Sequence, residues 1–377
     1  MIRVLNIISD SNIGGAGRVL LNYLRYADRQ RFETAIVVPR GSLLAQPLRE
    51  LGGKVYEVDG LAERSYHRDD VRVLERVIKD VKPDIVHTHG ALSGRIAGRR
   101  CGAAVVYTRH SAFPVPAKLR YPPGRWVNKL VNEHYADRII AVSPAAAENL
   151  TDAGISKEKI TVMMNGVAPL TRASAGECAA ERRADGIEDG DFVFGILARL
   201  EPYQGHKHII DAAAMLKAEG RRIKVLVAGT GDYEAELRAE CARQGVENEV
   251  RFLGFRTDVA RVLSVLDVQL NASYGTETSS LSILEGMSMG LPAIVSSYGG
   301  NPWLIDDGED GLIFPNRDSA ALKAACARLM DEPETLARMQ KRALEIFNER
   351  FTGEIFAQNV ERVYLEALKG ARHGNRT

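Results

Sequence analysis

The sequence predicts an α/β protein built on two doubly wound parallel sheets, and three observations carry the prediction. Short β-branched runs alternate with helical patterns along the whole chain. Those runs are apolar nearly throughout and about four to eight residues long, the pattern of strands covered by helices on both faces. Finally, 377 residues exceed one ordinary core, and the alternation divides into two consecutive sets. A single eight-stranded barrel with an appendage is the competing arrangement.

In chain order, the first set of predicted strands is Ile2–Ser9, Glu33–Val38, Lys54–Val58, Ile85–Thr88, Ala104–Thr108, Arg138–Val142 and Lys159–Met163. The second is Phe192–Leu197, Lys224–Ala228, Val250–Leu253, Val268–Asn271 and Ala293–Val295. Between the sets, Asn165–Asp191 is rich in Gly, Ala, Ser, Glu and Asp, with room for a short helix around Cys178–Ala184. This sets the boundary between domains 1–168 and 169–352. A last helical pattern, Gly353–Leu368, puts Phe356, Val360, Val363 and Tyr364 on one face, and residues 370–377 read as a frayed tail.

Composition excludes several classes. With 45% hydrophobic and 26% charged residues the chain is globular rather than disordered. No apolar run approaches the roughly 18 residues of a membrane span, and no secretion pattern opens the chain. Cys101, Cys178, Cys241 and Cys326 are scattered without zinc spacing, so reduced thiols in a cytoplasmic protein are expected. Asp189-Gly190-Asp191 is ordinary turn chemistry before a strand, and no metal is assigned. The net charge of +1 argues against a nucleic-acid binder, yet it hides an asymmetry. Residues 1–168 hold 25 basic and 17 acidic side chains, whereas 169–377 hold 25 and 32. Arg95–Lys129 alone contains eight cations and no acid. There, Trp126, Val127, Leu130 and Val131 form an apolar stripe at helical spacing beside Arg125 and Lys129. One reading is attachment to an anionic membrane or capture of an anionic acceptor. The other is a buried helix face ringed by solvated cations.

Several sites could carry chemistry. The first strand runs into Gly14-Gly15-Ala16-Gly17-Arg18, with a helix predicted from Val19. Glycines at such a turn let backbone approach a ligand, and a helix start offers N–H groups to an anion. A tight turn with no ligand is the alternative. In 271–290, Thr278 or Ser279 is placed to cap a helix Ser280–Met289 that stops at Gly290. Glu277 precedes this helix and Glu285 lies about 8 Å along it, matching a nucleotide sugar laid along the helix start. Its diphosphate would meet the N–H groups near Ser280 and Leu281, its ribose Glu285 and its sugar Glu277. The alternative is a capping Glu277 and a solvated Glu285. Arg199, after the strand Phe192–Leu197, is placed for a phosphate or for an ion pair with Glu201. His110, with Arg109 before it, ends one strand, and His87 and His89 flank the end of another, where a histidine can orient or deprotonate a substrate; purely structural histidines are the alternative.

Taken together, these pieces resemble the family 4 nucleotide-sugar glycosyltransferases of GT-B fold over essentially the whole chain. The strongest element is Glu277-x7-Glu285. Asp84-Ile85-Val86-His87-Thr88-His89, Asn165-Gly166-Val167, Val227-Ala228-Gly229-Thr230-Gly231 and Phe252-Leu253-Gly254 support it. The resemblance implies two facing Rossmann-like domains around an interdomain cleft. The first would bind the acceptor and be completed by 353–377, and the second would bind the nucleotide sugar. It further implies transfer with retention of configuration, without a cofactor or obligatory metal, to a sugar, glycoconjugate or lipid-linked acceptor, with a uridine diphosphate sugar as the expected donor. Arg199 would stabilise the departing diphosphate. His110 would stand near the transferred sugar, Gly15 near the donor phosphate, and Gly229, Gly231, Gly254 and Phe255 around the base and ribose. Gly14, Gly15, Arg18, His89, Arg109 and His110 would form the acceptor side.

Three positions depart from the family pattern: Gln204 replaces a usual Lys, with Lys207 nearby, Thr278-Ser279 replaces Phe-Gly, and Ala168 replaces a frequent Asp. A nucleotide-sugar isomerase or phosphorylase on the same architecture, or a non-catalytic sugar-nucleotide binder, are the competing functions.

Overall fold

The computed structural model describes residues 1–374. They form two compact units, Met1–Val167 with the chain from Thr352 onward, and Ala168–Phe351. The first unit contains β1 (Ile2–Ile8), α1 (Gly15–Tyr26), β2 (Phe32–Pro39), α2 (Ala45–Glu50), β3 (Lys54–Val58), α3 (Arg68–Val81), β4 (Ile85–His89), α4 (Leu92–Arg100) and β5 (Ala104–Arg109). It continues through α5 (Ala117–Arg120), α6 (Gly124–His134), β6 (Arg138–Ala141), α7 (Pro144–Asp152) and β7 (Ile160–Val162). The second comprises α8 (Ala175–Ala184), β8 (Phe192–Leu197), α9 (His206–Ala218), β9 (Ile223–Ala228), α10 (Glu234–Gln244), β10 (Val250–Gly254), α11 (Val259–Ser264) and β11 (Val268–Asn271). It closes with α12 (Leu281–Met287), β12 (Ala293–Ser296), β13 (Gly311–Phe314), α13 (Ser319–Asp331) and α14 (Pro333–Arg350), and α15 (Gly353–Gly374) returns to the first unit.

Both sheets are parallel throughout, ordered β3-β2-β1-β4-β5-β6-β7 and β10-β9-β8-β11-β12-β13. That double order excludes the barrel. In each sheet the first strand feeds outward on one side, and the chain then crosses to restart on the other. The crevices at these crossings lie at the ends of β1 and β4, and of β8 and β11, where open α/β sheets bind ligands.

The apolar strand runs are buried as their composition requires. Val4, Leu5, Ile7 and Ile8 of β1 and Val193, Phe194 and Ile196 of β8 are fully covered. Phe356, Val360, Val363 and Tyr364 of α15 are buried in the first unit, against β5 and α1 among others. Each such side chain contributes about 1.5–3 kcal/mol.

Four expectations are corrected. α1 begins at Gly15, because Gly14 takes the extended N-cap conformation and its carbonyl accepts the Arg18 N–H at 3.0 Å. β13 is an unpredicted strand, since four residues between turns leave little periodicity to read. α15 continues to Gly374, past the predicted start of fraying, and the rest of the expected tail, 375–377, lies outside the described residues. The 126–131 stripe is not a buried face: none of the residues of α6 is buried.

Candidate active site

In the second unit, Arg199 leaves the end of β8 and Asn271–Leu281 leaves the end of the neighbouring β11. The Arg199 backbone is pinned on both sides. Ala198 N–H donates to Ala228 O and Leu200 N–H to Thr230 O, both at 3.0 Å. A Cβ at Gly229, whose φ is +150°, would lie 1.9 Å from Ala198 O, and one at Gly231 would lie 2.2 Å from Leu200 O. Only glycine allows these two loops to touch. The Arg199 guanidinium is exposed and donates to Tyr203 Oη at 3.0 Å, so its partner is a phenol rather than Glu201. Gln204 ends the turn Pro202–Gln204, and Lys207 stands exposed in the first turn of α9. Gly254, at φ +68°, accepts the Gly229 N–H at 2.8 Å, with exposed Phe255 beside it.

Glu277 is half-buried. Its Oε2 accepts from Asn271 Nδ2 at 3.2 Å and its Oε1 from Thr278 N–H at 3.1 Å. Burial pushes its pKa up, against the lowering effect of its bonds from Asn271, Thr278 and Ser279. A carboxylate so poorly solvated is a strong acceptor for ligand hydroxyls. Behind it, Asn271 Oδ1 accepts from Ser273 N–H at 3.0 Å and from Asn301 Nδ2 at 3.3 Å. Asn301 Nδ2 also donates to Ser296 Oγ at 3.0 Å, and Ser296 Oγ–H to Ser273 O at 2.5 Å. The Glu277 backbone is held as well, with Gly300 N–H donating to Glu277 O at 3.1 Å. A Cβ at Gly300 would fall 1.6 Å from Thr278 O. Asn271, Ser296 and Asn301 were missed in the sequence. Asn271 and Ser296, the polar residues that close β11 and β12, offer the one signal, and Asn301, in the turn after β12, offers none.

The expected cap is corrected: Ser280, not Thr278 or Ser279, is the N-cap of α12. The N–H groups of Thr278 and Ser279 bond instead to the Glu277 carboxylate, so the chain stays extended one residue longer. No side chain caps the helix start, where Ser280 Oγ lies 3.1 Å from Ser282 Oγ. Glu285, half-buried, sits four residues after Leu281, one helical turn along. α12 ends at Met287, two residues before its predicted end, and Gly290 turns at φ +75°.

In the first unit, exposed Gly14 and Gly15 open α1, with half-buried Arg18 in its first turn. Asp10, just before, was passed over in the sequence. Burial, then the Glu63 charge, pushes its pKa up to about 6. The three histidines form a stacked cluster. His89 Nε2 meets Asn6 Oδ1 at 3.1 Å and His89 Nδ1 meets His110 Nε2 at 2.9 Å, while His87 bridges Tyr364 Oη at 2.8 Å and Thr108 Oγ1 at 2.7 Å. Burial lowers the pKa of His87 to about 3, of His110 to about 4 and of His89 well below the usual value, so all three are neutral near pH 7. As the amide of Asn6 is assigned, its carbonyl takes the His89 Nε2 proton. His89 Nδ1 must then accept from His110 Nε2, which leaves the His110 lone pair on Nδ1. Arg109 turns elsewhere: its Nε donates to Ser111 O at 2.8 Å and its Nη2 to Asn149 Oδ1 at 3.2 Å, tying the segment after β5 to α7.

Among the described residues, no three His, Cys, Asp or Glu side chains converge as metal ligands, and no helix is long and apolar enough to cross a membrane.

Two parallel sheets of matching strand order, with these loops at their crossings, make up the GT-B architecture. Residues 13–169 match the family described as Glycosyltransferase Family 4, and residues 179–346 that described as Glycosyl transferases group 1. The D-inositol 3-phosphate glycosyltransferase of Kribbella flavida is 30% identical over 307 residues, covering 76% of this chain and 72% of that protein. The UDP-Gal:alpha-D-GlcNAc-diphosphoundecaprenol alpha-1,3-galactosyltransferase of Escherichia coli is 28% identical over 278 residues, 69% of each chain. Among solved structures, Anabaena Alr3699/HepE in complex with UDP superposes with a TM-score of 0.83 at 22% identity, covering 96% of this chain and 99% of that one. The chain belongs to the family 4 glycosyltransferases.

Proposed function

We propose that the protein is a retaining glycosyltransferase that moves a sugar from a uridine diphosphate sugar to a hydroxyl acceptor in cell-surface polysaccharide, lipid-linked glycan or related glycoconjugate assembly. The observation that carries this reading is the placement, on the loops that leave the neighbouring strands β8 and β11, of an exposed Arg199 and a half-buried Glu277 held by Asn271 and Thr278. The bond from the anomeric carbon to the diphosphate breaks as one to the acceptor oxygen forms. The electron pair leaves on the nucleoside diphosphate, which also takes the acceptor's proton. Arg199, with Lys207 of the following helix as a second cation, meets the growing negative charge. Glu277 accepts from hydroxyls of the donor sugar and Glu285 from the ribose, with Ser280 and Leu281 at the diphosphate. Gly229, Gly231, Gly254 and Phe255 flank the nucleoside.

The acceptor is assigned to the first unit, at Gly14, Gly15, Arg18, His89, Arg109 and His110. Support for the donor and acceptor classes comes from the UDP in the Anabaena structure and from the lipid diphosphate in the name of the Escherichia coli relative. The reaction is placed on the cytoplasmic side and needs no metal. Incubation with uridine, guanosine, adenosine and thymidine diphosphate sugars, with and without EDTA, tests it. Transfer or slow hydrolysis of a uridine donor in EDTA, with the anomeric configuration kept, is expected. Sugar isomerisation, or binding without turnover under varied acceptors, would overturn it.

A further inference from the structure

The crossover from β5 to β6 begins at His110 and carries α5 and α6. α6 is inverted relative to an ordinary surface helix, which buries its apolar stripe and shows its polar one. It is fastened to the unit by polar side chains at helical spacing. Asn128 Nδ2 donates to Ala153 O at 2.8 Å, and Asn132 Oδ1 accepts from the buried Arg95 at 2.7 Å. Arg125 Nη2 donates to Thr151 O at 3.4 Å. At 3.6 residues per turn, Trp126, Val127 and Leu130 fall on nearly the opposite side. They are 67%, 59% and 71% exposed, and Tyr121 before the helix is 63% exposed. Large aromatic and aliphatic side chains held this far into water by a polar attachment mark an interaction surface.

The charges nearest the patch are mainly basic. Lys118, Arg120, Arg125 and Lys129 are exposed, and the segment from Arg95 to Lys129 contains no acid. Arg120 and Lys129 pair with Asp152 and Glu133 at 3.0 and 3.9 Å, whereas Lys118 and Arg125 have no such ion pair among the described residues. A second copy of this chain would bring like charges together across a two-fold contact. A bilayer carrying anionic headgroups offers the complement to both features: charge for Lys118 and Arg125, and an apolar layer beneath for Trp126, Val127 and Leu130. We infer that α5 and α6 form a docking surface for an anionic lipid bilayer, placed at the start of the same crossover that positions His110. The inference goes beyond the proposed reaction and does not depend on it, since docking requires neither donor nor acceptor.

The test uses the full chain carrying Trp303→Phe, which leaves Trp126 as the single tryptophan. Vesicles of phosphatidylcholine with about one-third phosphatidylglycerol should co-sediment the protein at low salt, shift Trp126 emission to the blue and quench it when brominated lipid is included. Pure phosphatidylcholine should bind far less. Trp126→Ala with Leu130→Ala should weaken binding by about ten-fold or more per side chain while far-ultraviolet dichroism is unchanged. Lys118→Ser with Arg125→Ser should weaken it by roughly five-fold per charge at low salt, a difference that shrinks at high salt. Three results would overturn the inference: no binding to anionic vesicles at low salt, binding equal on neutral and anionic vesicles, or binding that leaves Trp126 emission unchanged. Concentration-dependent self-association abolished by the Trp126/Leu130 variant, without lipid binding, would assign the surface to a second copy instead.

Discussion

Gly300→Ala is the substitution that most directly separates a positioned Glu277 from a merely nearby one. The new Cβ would sit 1.6 Å from Thr278 O, whereas real contacts of this kind stay beyond 3.0 Å. The 278–279 peptide and the Gly300 backbone must therefore separate by about 1.4 Å. Both are tethered, one through Asn271 and the other through the bond from Gly300 N–H to Glu277 O. Overpacking of this kind costs about 1–3 kcal/mol, so the second unit should melt several degrees lower but remain folded at 25 °C. A displacement of about 1 Å in a positioning group costs on the order of 100-fold in rate, and kcat/KM for transfer should fall by that order. Gly176→Ala is the control, since nothing lies within 4 Å of its added methyl. The assay is initial-rate transfer at saturating acceptor, alongside a thermal melt. A Gly300→Ala enzyme that melts lower yet keeps kcat/KM within about two-fold of wild type would refute the positioning of Glu277 by this loop.

Glu285→Ala should raise the donor KM through loss of the ribose contact, and Arg199→Ala should lower kcat more than it raises KM; unchanged steady-state kinetics in both would remove the donor-site assignment. Asn6→Leu should abolish the fixed tautomer of the histidine cluster, which 15N spectra of the imidazoles read directly. His110 is expected as the Nε2–H form in the wild type, and an Nδ1–H form there would reverse the assignment. Because His110 is held near a pKa of about 4 in the fold and near 6.5 when unfolded, the unfolded chain binds the proton first as pH falls between those values. That histidine thus removes stability on acidification, by roughly 1 kcal/mol per pH unit, while Asp10, held up to about 6, acts in the opposite sense. Urea midpoints at pH 7 and pH 5 should therefore diverge less in His110→Gln than in wild type, and equal divergence would show that His110 titrates normally.

What the sequence disclosed and what it hid follow different physics. β3, β8 and β11 match their predicted bounds residue for residue: β8 is a continuous apolar run, and β3 is bracketed by Gly52-Gly53 and Asp59-Gly60. The paired carboxylates Glu277 and Glu285 are equally visible as a spacing. Hidden is whatever depends on two distant segments meeting. The Asn271–Asn301–Ser296 network joins a strand end to a loop thirty residues away, and no local pattern reports it. α6 shows the limit most sharply: the periodicity of Trp126, Val127 and Leu130 was legible, but periodicity cannot say which face a helix turns to its own protein. The polar side chains of Asn128 and Asn132 found partners at Ala153 and Arg95, and the apolar stripe was left outside.

The glycines read as ligand contacts acquire a different weight in the same way. Gly229 and Gly231 are required at their positions by the backbones of Ala198 and Leu200, whether or not a nucleotide lies over them. They act on the chemistry through Arg199, which sits between those two residues. Elsewhere in the second unit arginines are largely spent on carboxylates, as in Arg221 with Asp331, Arg238 with Glu234 and Arg256 with Asp258. Arg199, in a half of the chain with more acids than bases, instead has a neutral phenol as its partner. Tyr203 orients the guanidinium without cancelling its charge. A cation kept exposed, oriented and unneutralised at the crossing of a parallel sheet is preorganised for an anion that arrives from solution, and it meets developing charge without first breaking an ion pair.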